Sequence, residues 1–194
     1  DNVLLFPMDD FLTSEAIAVS PDLMVNRLET LNTLLNGEKQ IIITNLMGYL
    51  RFLPTLDTYK SSIFNIKVGQ DYDFNKFSYH LNNIGYKRES IVTKTGEYAV
   101  RGFIIDVFPL ESDHPVRFEF FGDTIDSIRI FDEDTQKSIS DINNVTIYPY
   151  SEFILDKVVD NVINKQKYLK QYTSVSSILD YLKEVIVFYK DYPQ

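Results

Sequence analysis

The spacing of apolar positions changes along the chain. Val3-Leu4-Leu5-Phe6 is a short continuous apolar run and reads as a strand, followed by Pro7 and a loop. From Ser20-Pro21-Asp22 the spacing becomes helical, with Met24, Leu28, Leu31 and Leu35 on one face. Ser20 suits the N-cap, Pro21 the first turn and Asp22 the positive end of the helix dipole, and Asn36-Gly37 closes the helix. Gln40–Thr44 is a second apolar run, of the kind buried on both faces of a sheet. A helix from Leu46 to Phe52 should stop before Pro54. Strands alternating with helices predict a parallel sheet in residues 1–55.

Residues 56–150 change character. Phe64, Ile66 and Val68 alternate with polar residues, as in a half-exposed strand. Asp73 caps a predicted helix with the stripe Phe74, Phe77, Leu81 and Ile84, closed by Gly85. Strands are then predicted over Tyr86–Val92, Glu97–Val107, Val116–Phe120, Ile125–Phe131 and Val145–Tyr148. Gly102, inside the longest of these, suggests a bulge or a bend. This stretch reads as α+β, an antiparallel sheet with one helix.

Residues 151–194 return to helices. One is predicted from Leu155 to Tyr172 and another from Ser174 or Val175 to Leu182, before a β-branched and aromatic strand, Val185–Tyr189. The expected organisation is an α/β domain, residues 1–55 and 151–194, interrupted by an inserted α+β domain, residues 56–150. The chain opens at Asp1 on a strand and both outer pieces look incomplete, so it reads as a piece of a longer polypeptide.

Composition narrows the function classes. Hydrophobic residues make up 44% of the 194, with 13 Tyr and 14 Phe, enough for a packed core. The net charge of −9 opposes phosphate binding, and no run of Lys and Arg offsets it. The absence of cysteine removes disulfide, thiolate and Cys-based zinc chemistry and fits a reducing compartment. His80 and His114 lie too far apart for metal-ligand spacing. No apolar run approaches the ~20 residues that span a membrane.

No catalytic constellation emerges. Phosphate loops, dinucleotide-binding glycine patterns and nucleophile elbows are all missing. Asp132-Glu133-Asp134 could hold a hard cation but fits a solvated turn better, and a loop explains Asp9-Asp10. The candidate binding residues are Arg101, Arg117, Phe121 and Arg129. Residues two apart share a strand face, so Arg117 and Glu119 lie opposite Val116, Phe118 and Phe120. One ring of Phe120-Phe121 should be exposed or at a strand end. An exposed Phe beside Arg is a common hot-spot composition. The alternative is ordinary surface arginines paired with Glu97, Glu119 or Asp123.

Four blocks in order carry a resemblance. They are Gly96-Glu97-Tyr98-Ala99-Val100-Arg101-Gly102-Phe103-Ile104-Ile105-Asp106-Val107-Phe108-Pro109, Pro115-Val116-Arg117-Phe118-Glu119-Phe120-Phe121-Gly122-Asp123, Ile125-Asp126-Ser127-Ile128-Arg129, and Phe131-Asp132-Glu133-Asp134-Thr135-Gln136-Lys137-Ser138. This stretch resembles the bacterial transcription-repair coupling factors, the Mfd translocases. Ser20-Pro21-Asp22-Leu23 through Arg27-Leu28 and Gly85-Tyr86-Lys87-Arg88 agree with it. UvrB, a component of the UvrABC excinuclease, shares the module, but its acidic turn is typically shorter and ends in Thr-Gly. Asp134-Thr135-Gln136 and Ser138 favour the coupling factor.

The resemblance implies a non-catalytic module that recruits UvrA, the excinuclease's partner component, to stalled RNA polymerase in transcription-coupled repair. The positions matching the binding surface are Arg101, Arg117 and Phe121. It also implies a helicase-like α/β domain that has lost its nucleotide site. In a working motor a strand such as Val185–Tyr189 leads to an Asp-Glu pair, whereas Lys190-Asp191 follows here, and lysine repels a metal. ATP and Mg²⁺, the DNA translocase activity, and the contacts with RNA polymerase and DNA are expected in other parts of the full-length protein. No cofactor or metal is expected in this chain. The cytoplasm is its expected location. The competing reading is a damaged-DNA-binding module of the UvrB type, with Lys157, Lys165, Lys167 and Lys170 as the candidate phosphate contacts.

Overall fold

The computed structural model describes residues 3–8, 21–37, 40–157 and 159–188. Strands β1 (Val3–Phe6) and β2 (Ile41–Thr44) pair in parallel, Val3 opposite Ile41 and Phe6 opposite Thr44, as the alternation of strands with helices predicts. Helix α1 (Pro21–Leu35) buries Leu28 and Leu31 and packs Met24 and Leu35 against the same cluster. The helix closes where Gly37 N–H donates to the Leu34 carbonyl at 3.2 Å. Ser20, the expected N-cap, and Asp9-Asp10 lie outside the described residues.

Two expectations for this half are corrected. Ile41 and Ile43 of β2 are exposed rather than buried on both faces, because among the described residues the sheet has only two strands. The helix expected to reach Phe52 is one turn, α2 (Leu46–Tyr49), with Gly48 N–H donating to the Asn45 side chain at 2.8 Å. The chain is already extended at β3 (Leu53–Pro54), then turns into α3 (Leu56–Ser61), capped by Thr55.

Strand β4 (Phe64–Lys67) buries Phe64 and Ile66 and exposes the residues between. Helix α4 (Phe74–Asn83) starts where the Asp73 carboxylate accepts from Asn75 and Lys76 N–H at 2.9 and 3.0 Å. Strands β5 (Lys87–Arg88), β6 (Glu97–Arg101), β7 (Ile104–Val107), β8 (Val116–Phe121), β9 (Thr124–Phe131) and β10 (Ser138–Ile142) form a six-stranded sheet in sequence order. Its pairs are antiparallel except β5 with β6. Strand β11 (Asn144–Ile147) pairs antiparallel with β4.

The expected strand Glu97–Val107 is two strands. Arg101 pairs with Ile104 across a two-residue turn, Gly102-Phe103, with Gly102 at φ 59°. A Cβ is disfavoured there, and of the expected bulge or bend it is the bend that forms, carried to a full reversal. Strand β5 is two residues long, not seven, and β10 was not expected at all.

The end of the chain departs furthest. In place of a helix over Leu155–Tyr172, the described residues there form irregular backbone, a 3-10 turn (Gln166–Tyr168) and one helical turn, α5 (Leu169–Tyr172). Asp156, Asp160 and Asn164 belong to residue types that favour local side-chain bonding over helix, and Asn161 sits at φ 56°, outside helical space. The second expected helix is instead β12 (Val175–Ser176), paired with β3, and a 3-10 turn (Ile178–Tyr181). Val185–Phe188 is exposed and forms no strand, since no ladder partner meets it among the described residues. Tyr189 and Lys190-Asp191 lie outside the described residues.

Buried apolar side chains gather in two main clusters. One joins α4 to one face of the large sheet through Phe77, Leu81, Phe118, Phe120, Ile125 and Ile128. The other holds Phe6, Leu28, Leu31, Tyr59, Ile178 and Tyr181. Beside the second cluster, buried Glu152 accepts from Arg27 Nε and Nη2, both at 2.9 Å, and from Arg51 Nε and Nη2 at 3.0 and 2.8 Å. Arg27 Nη1 also donates to the Pro7 carbonyl at 3.1 Å.

Candidate functional site

Helix α4 covers one face of the large sheet, with Phe77 against Phe118 and Phe120 at ring separations of 5.2 and 5.7 Å. Alternation therefore sends Arg117, Glu119 and Phe121 of β8 to the other face. The register extends that face sideways. Ala99 lies opposite Asp106, Asp106 opposite Arg117, Arg117 opposite Arg129, and Arg129 opposite Asp141. Arg101, two residues from Ala99, points to the same side. Val92 packs over Ala99 and Phe108 at the β5 end.

Arg101 and Arg117 meet on one carboxylate. Arg117 donates Nε to Asp106 Oδ1 at 2.7 Å and Nη2 to Oδ2 at 2.9 Å, a two-pronged fork. Arg101 Nη2 donates to the same Oδ2 from the neighbouring strand. The side chain of Asp106 is only 1% exposed, against 17% for Arg117 and 44% for Arg101. The hydrogen bond to Asp106 holds the Arg117 guanidinium above its ordinary pKa. Arg117 also lies over the Phe131 ring, 4.5 Å from its centre.

Arg117 and Arg129 stand opposite one another, which alone would be repulsive. Each leans to its own acid. Arg129 Nη2 donates to Glu119 Oε2 at 3.0 Å, and its Nε lies 3.3 Å from Asp141 Oδ1. The pairing of Arg129 with Glu119 is among those considered from sequence. That of Arg101 and Arg117 with Asp106 is not.

Phe120 is buried, whereas Phe121, the last residue of β8, is 83% exposed. Phe121 stands on the same face as Arg117, four residues along the strand. The turns Gly102-Phe103 and Gly122-Asp123 project from the same end of the sheet, since Phe120 N–H donates to the Phe103 carbonyl at 2.9 Å. Asp106 was the missed residue, although an acid within Ile104-Ile105-Asp106-Val107-Phe108 was a readable signal.

The acidic stretch Asp132–Asp134 forms the turn between β9 and β10. Asp132 Oδ1 accepts from Thr135 N–H and Oγ1, both at 2.7 Å, and these bonds hold its carboxyl below the ordinary range. Glu133 meets His114 Nδ1 at 3.0 Å, which lowers the glutamate pKa and raises that of the histidine. No group of three or more His, Cys, Asp or Glu among the described residues could hold a metal ion.

Residues 64–153 match the family model of the UvrB interaction domain. The chain is 40% identical over 192 residues to the transcription-repair-coupling factor of Staphylococcus epidermidis, covering 97% of the chain and 16% of that protein. It belongs to the transcription-repair-coupling-factor family. The Bacillus subtilis member is 39% identical over 154 residues, 79% of the chain and 13% of that protein. A Staphylococcus aureus member is 40% identical over the same length. The chain thus spans about a sixth or less of these relatives' length.

The matched region contains the whole six-stranded sheet, α4, and Glu152. Arg101, Asp106, Arg117 and Phe121 all lie within it. No helix among the described residues is long and apolar enough to cross a membrane.

Proposed function

We propose that this chain is the module through which a transcription-repair-coupling factor docks UvrA, a component of the UvrABC excinuclease, and brings it to stalled RNA polymerase. The carrying observation is the outer sheet face, where exposed Phe121 shares a surface with an arginine pair anchored on Asp106, inside the region that matches the UvrB interaction domain. Arg101 gives one nitrogen to Asp106 and keeps its remaining donors for a partner carboxylate. Phe121 supplies the apolar anchor. Arg117, more enclosed, supports the array.

In this reading residues 1–55 and 151–194 are the remnant of a motor-like domain, and residues 56–150 are the docking insert. The chain itself is not an enzyme. The lack of a phosphate-cradling loop in the sequence supports this reading. Nucleotide chemistry, DNA translocation and the contact with RNA polymerase belong to other parts of the longer protein, which acts in the cytoplasm.

Titration of purified UvrA by calorimetry tests the reading. Removing one partner of a buried interface charge pair costs on the order of 2–5 kcal/mol, so Arg101→Ala should weaken binding at least tens-fold. Arg117→Ala and Phe121→Ala should weaken it too, and added salt should slow association. Unchanged affinity in all three variants, with folding intact, would sink the idea.

A further inference from the structure

We infer that Asp106 is the positioning residue of the docking face: its buried carboxylate fixes Arg101 and Arg117 as one preformed array that a single partner carboxylate meets. This rests on the docking reading above.

Asp106 lies on β7, between the strands that carry the two arginines. Its neighbours Ile105 and Val107 are core residues, and its own side chain is almost fully enclosed. A carboxylate in that position needs cations, and it takes them from both sides. Arg117 comes from directly across the ladder and Arg101 diagonally, and both reach Oδ2.

The two arginines are not equivalent. Arg117 is held by two bonds to Asp106, the Phe131 ring beneath it, and Gln136 Oε1 at 3.5 Å. Gln136 is itself fixed by its turn, at φ 59°, with its Nε2 donating to the Glu133 carbonyl at 2.8 Å. Arg101 has Asp106 as its anchor and stands more open to solvent. Arg117 therefore completes the socket for Asp106, and Arg101 is the group presented. Two arginines and one aspartate leave one net positive charge. That array fits a partner offering one carboxylate beside an apolar pocket for Phe121, not an acidic run. Ordering an arginine in advance is worth roughly two- to tenfold in affinity per side chain.

The test compares binding of UvrA to the chain and to four variants. Asp106→Asn keeps the shape, removes the charge and should weaken binding about tenfold. The pair Asp106→Asn with Arg117→Gln removes an anion and a cation together, so it folds even where the single change does not. It should bind no better than Asp106→Asn, although Arg101 and Phe121 remain. Nitrogen-detected NMR supplies a readout that general destabilisation does not move. The Arg101 and Arg117 Nε–H signals should lose protection in Asp106→Asn, while that of Arg129, held by Glu119 and Asp141, persists. Wild-type affinity in both Asp106 variants, with Arg101→Ala and Phe121→Ala impaired, overturns this inference alone. Wild-type affinity in all four overturns the docking reading and the inference with it.

Discussion

Arg27 and Glu152, 125 residues apart in sequence, lie side by side in the interior with two parallel 2.9 Å hydrogen bonds between guanidinium and carboxylate. Both side chains are essentially without solvent contact, and Arg51 adds a second fork to the same carboxylate. Removing one member of such a set leaves charge stranded in a low-dielectric site. Glu152→Ala should therefore destabilise the chain by about 3–5 kcal/mol, far more than loss of an exposed pair. Urea unfolding measures it, and a change under about 1 kcal/mol would contradict the buried assignment.

Adjacent phenylalanines on β8 should behave oppositely. Phe120 packs edge-on against Phe74 and Phe77 at 5.2 and 5.7 Å, so Phe120→Ala should cost about 3–5 kcal/mol of stability. Phe121 is exposed, so Phe121→Ala should leave stability within about 0.5 kcal/mol of the parent while weakening binding of UvrA. Equal stability losses in thermal melts would show that the strand faces are assigned wrongly.

Glycine changes should also separate. Gly85 has φ 98°, and a Cβ there would meet the Ser151 side chain at 2.5 Å and the Tyr150 carbonyl oxygen at 2.7 Å. Gly102 is also left-handed, but nothing lies within 4 Å of its Cβ position. Gly102→Ala should cost about 1 kcal/mol, the backbone penalty alone. Gly85→Ala should cost clearly more, because backbone must move. Denaturation midpoints of the two variants decide it.

The His114–Glu133 pair predicts a local pH response. His114 titrates above its ordinary value because of its hydrogen bond to Glu133, so the histidine's contribution is full below that ordinary value and is lost as pH rises through the raised histidine pKa. Glu133 and Asp132 titrate below theirs, so their contribution is present above the ordinary carboxylate range and is lost as pH falls through the depressed values. The turn is therefore best held between the two limits. NMR titration should show the His114 midpoint falling in Glu133→Gln. An unmoved midpoint would rule the pairing out in solution.

Local signals carried much of the fold. The Asp73 cap and the stripe through Phe77 and Leu81 specify α4 without reference to the rest of the chain. Arg117 and Glu119 could be placed on one face because alternate residues of β8 share a side, whereas the choice between Phe120 and Phe121 as the exposed ring needed the structure. What sequence reading missed was decided by partners distant in the chain. The turn at Gly102 hides inside an apolar run whose two halves pair with each other. Val175–Ser176 becomes a strand because Leu53–Pro54 lies beside it. The link from Arg101 through Asp106 to Arg117 required the register of three strands, which no spacing within a single strand reveals.

The position of Glu152 has a consequence for the order of folding. Its cationic partners come 101 and 125 residues earlier, so pairing before the intervening chain has folded means closing a long loop against chain entropy. The cluster is therefore expected to close after the rate-limiting step. Its loss should appear as faster unfolding with little change in the folding rate, which makes Glu152 a latch on the lifetime of the native state.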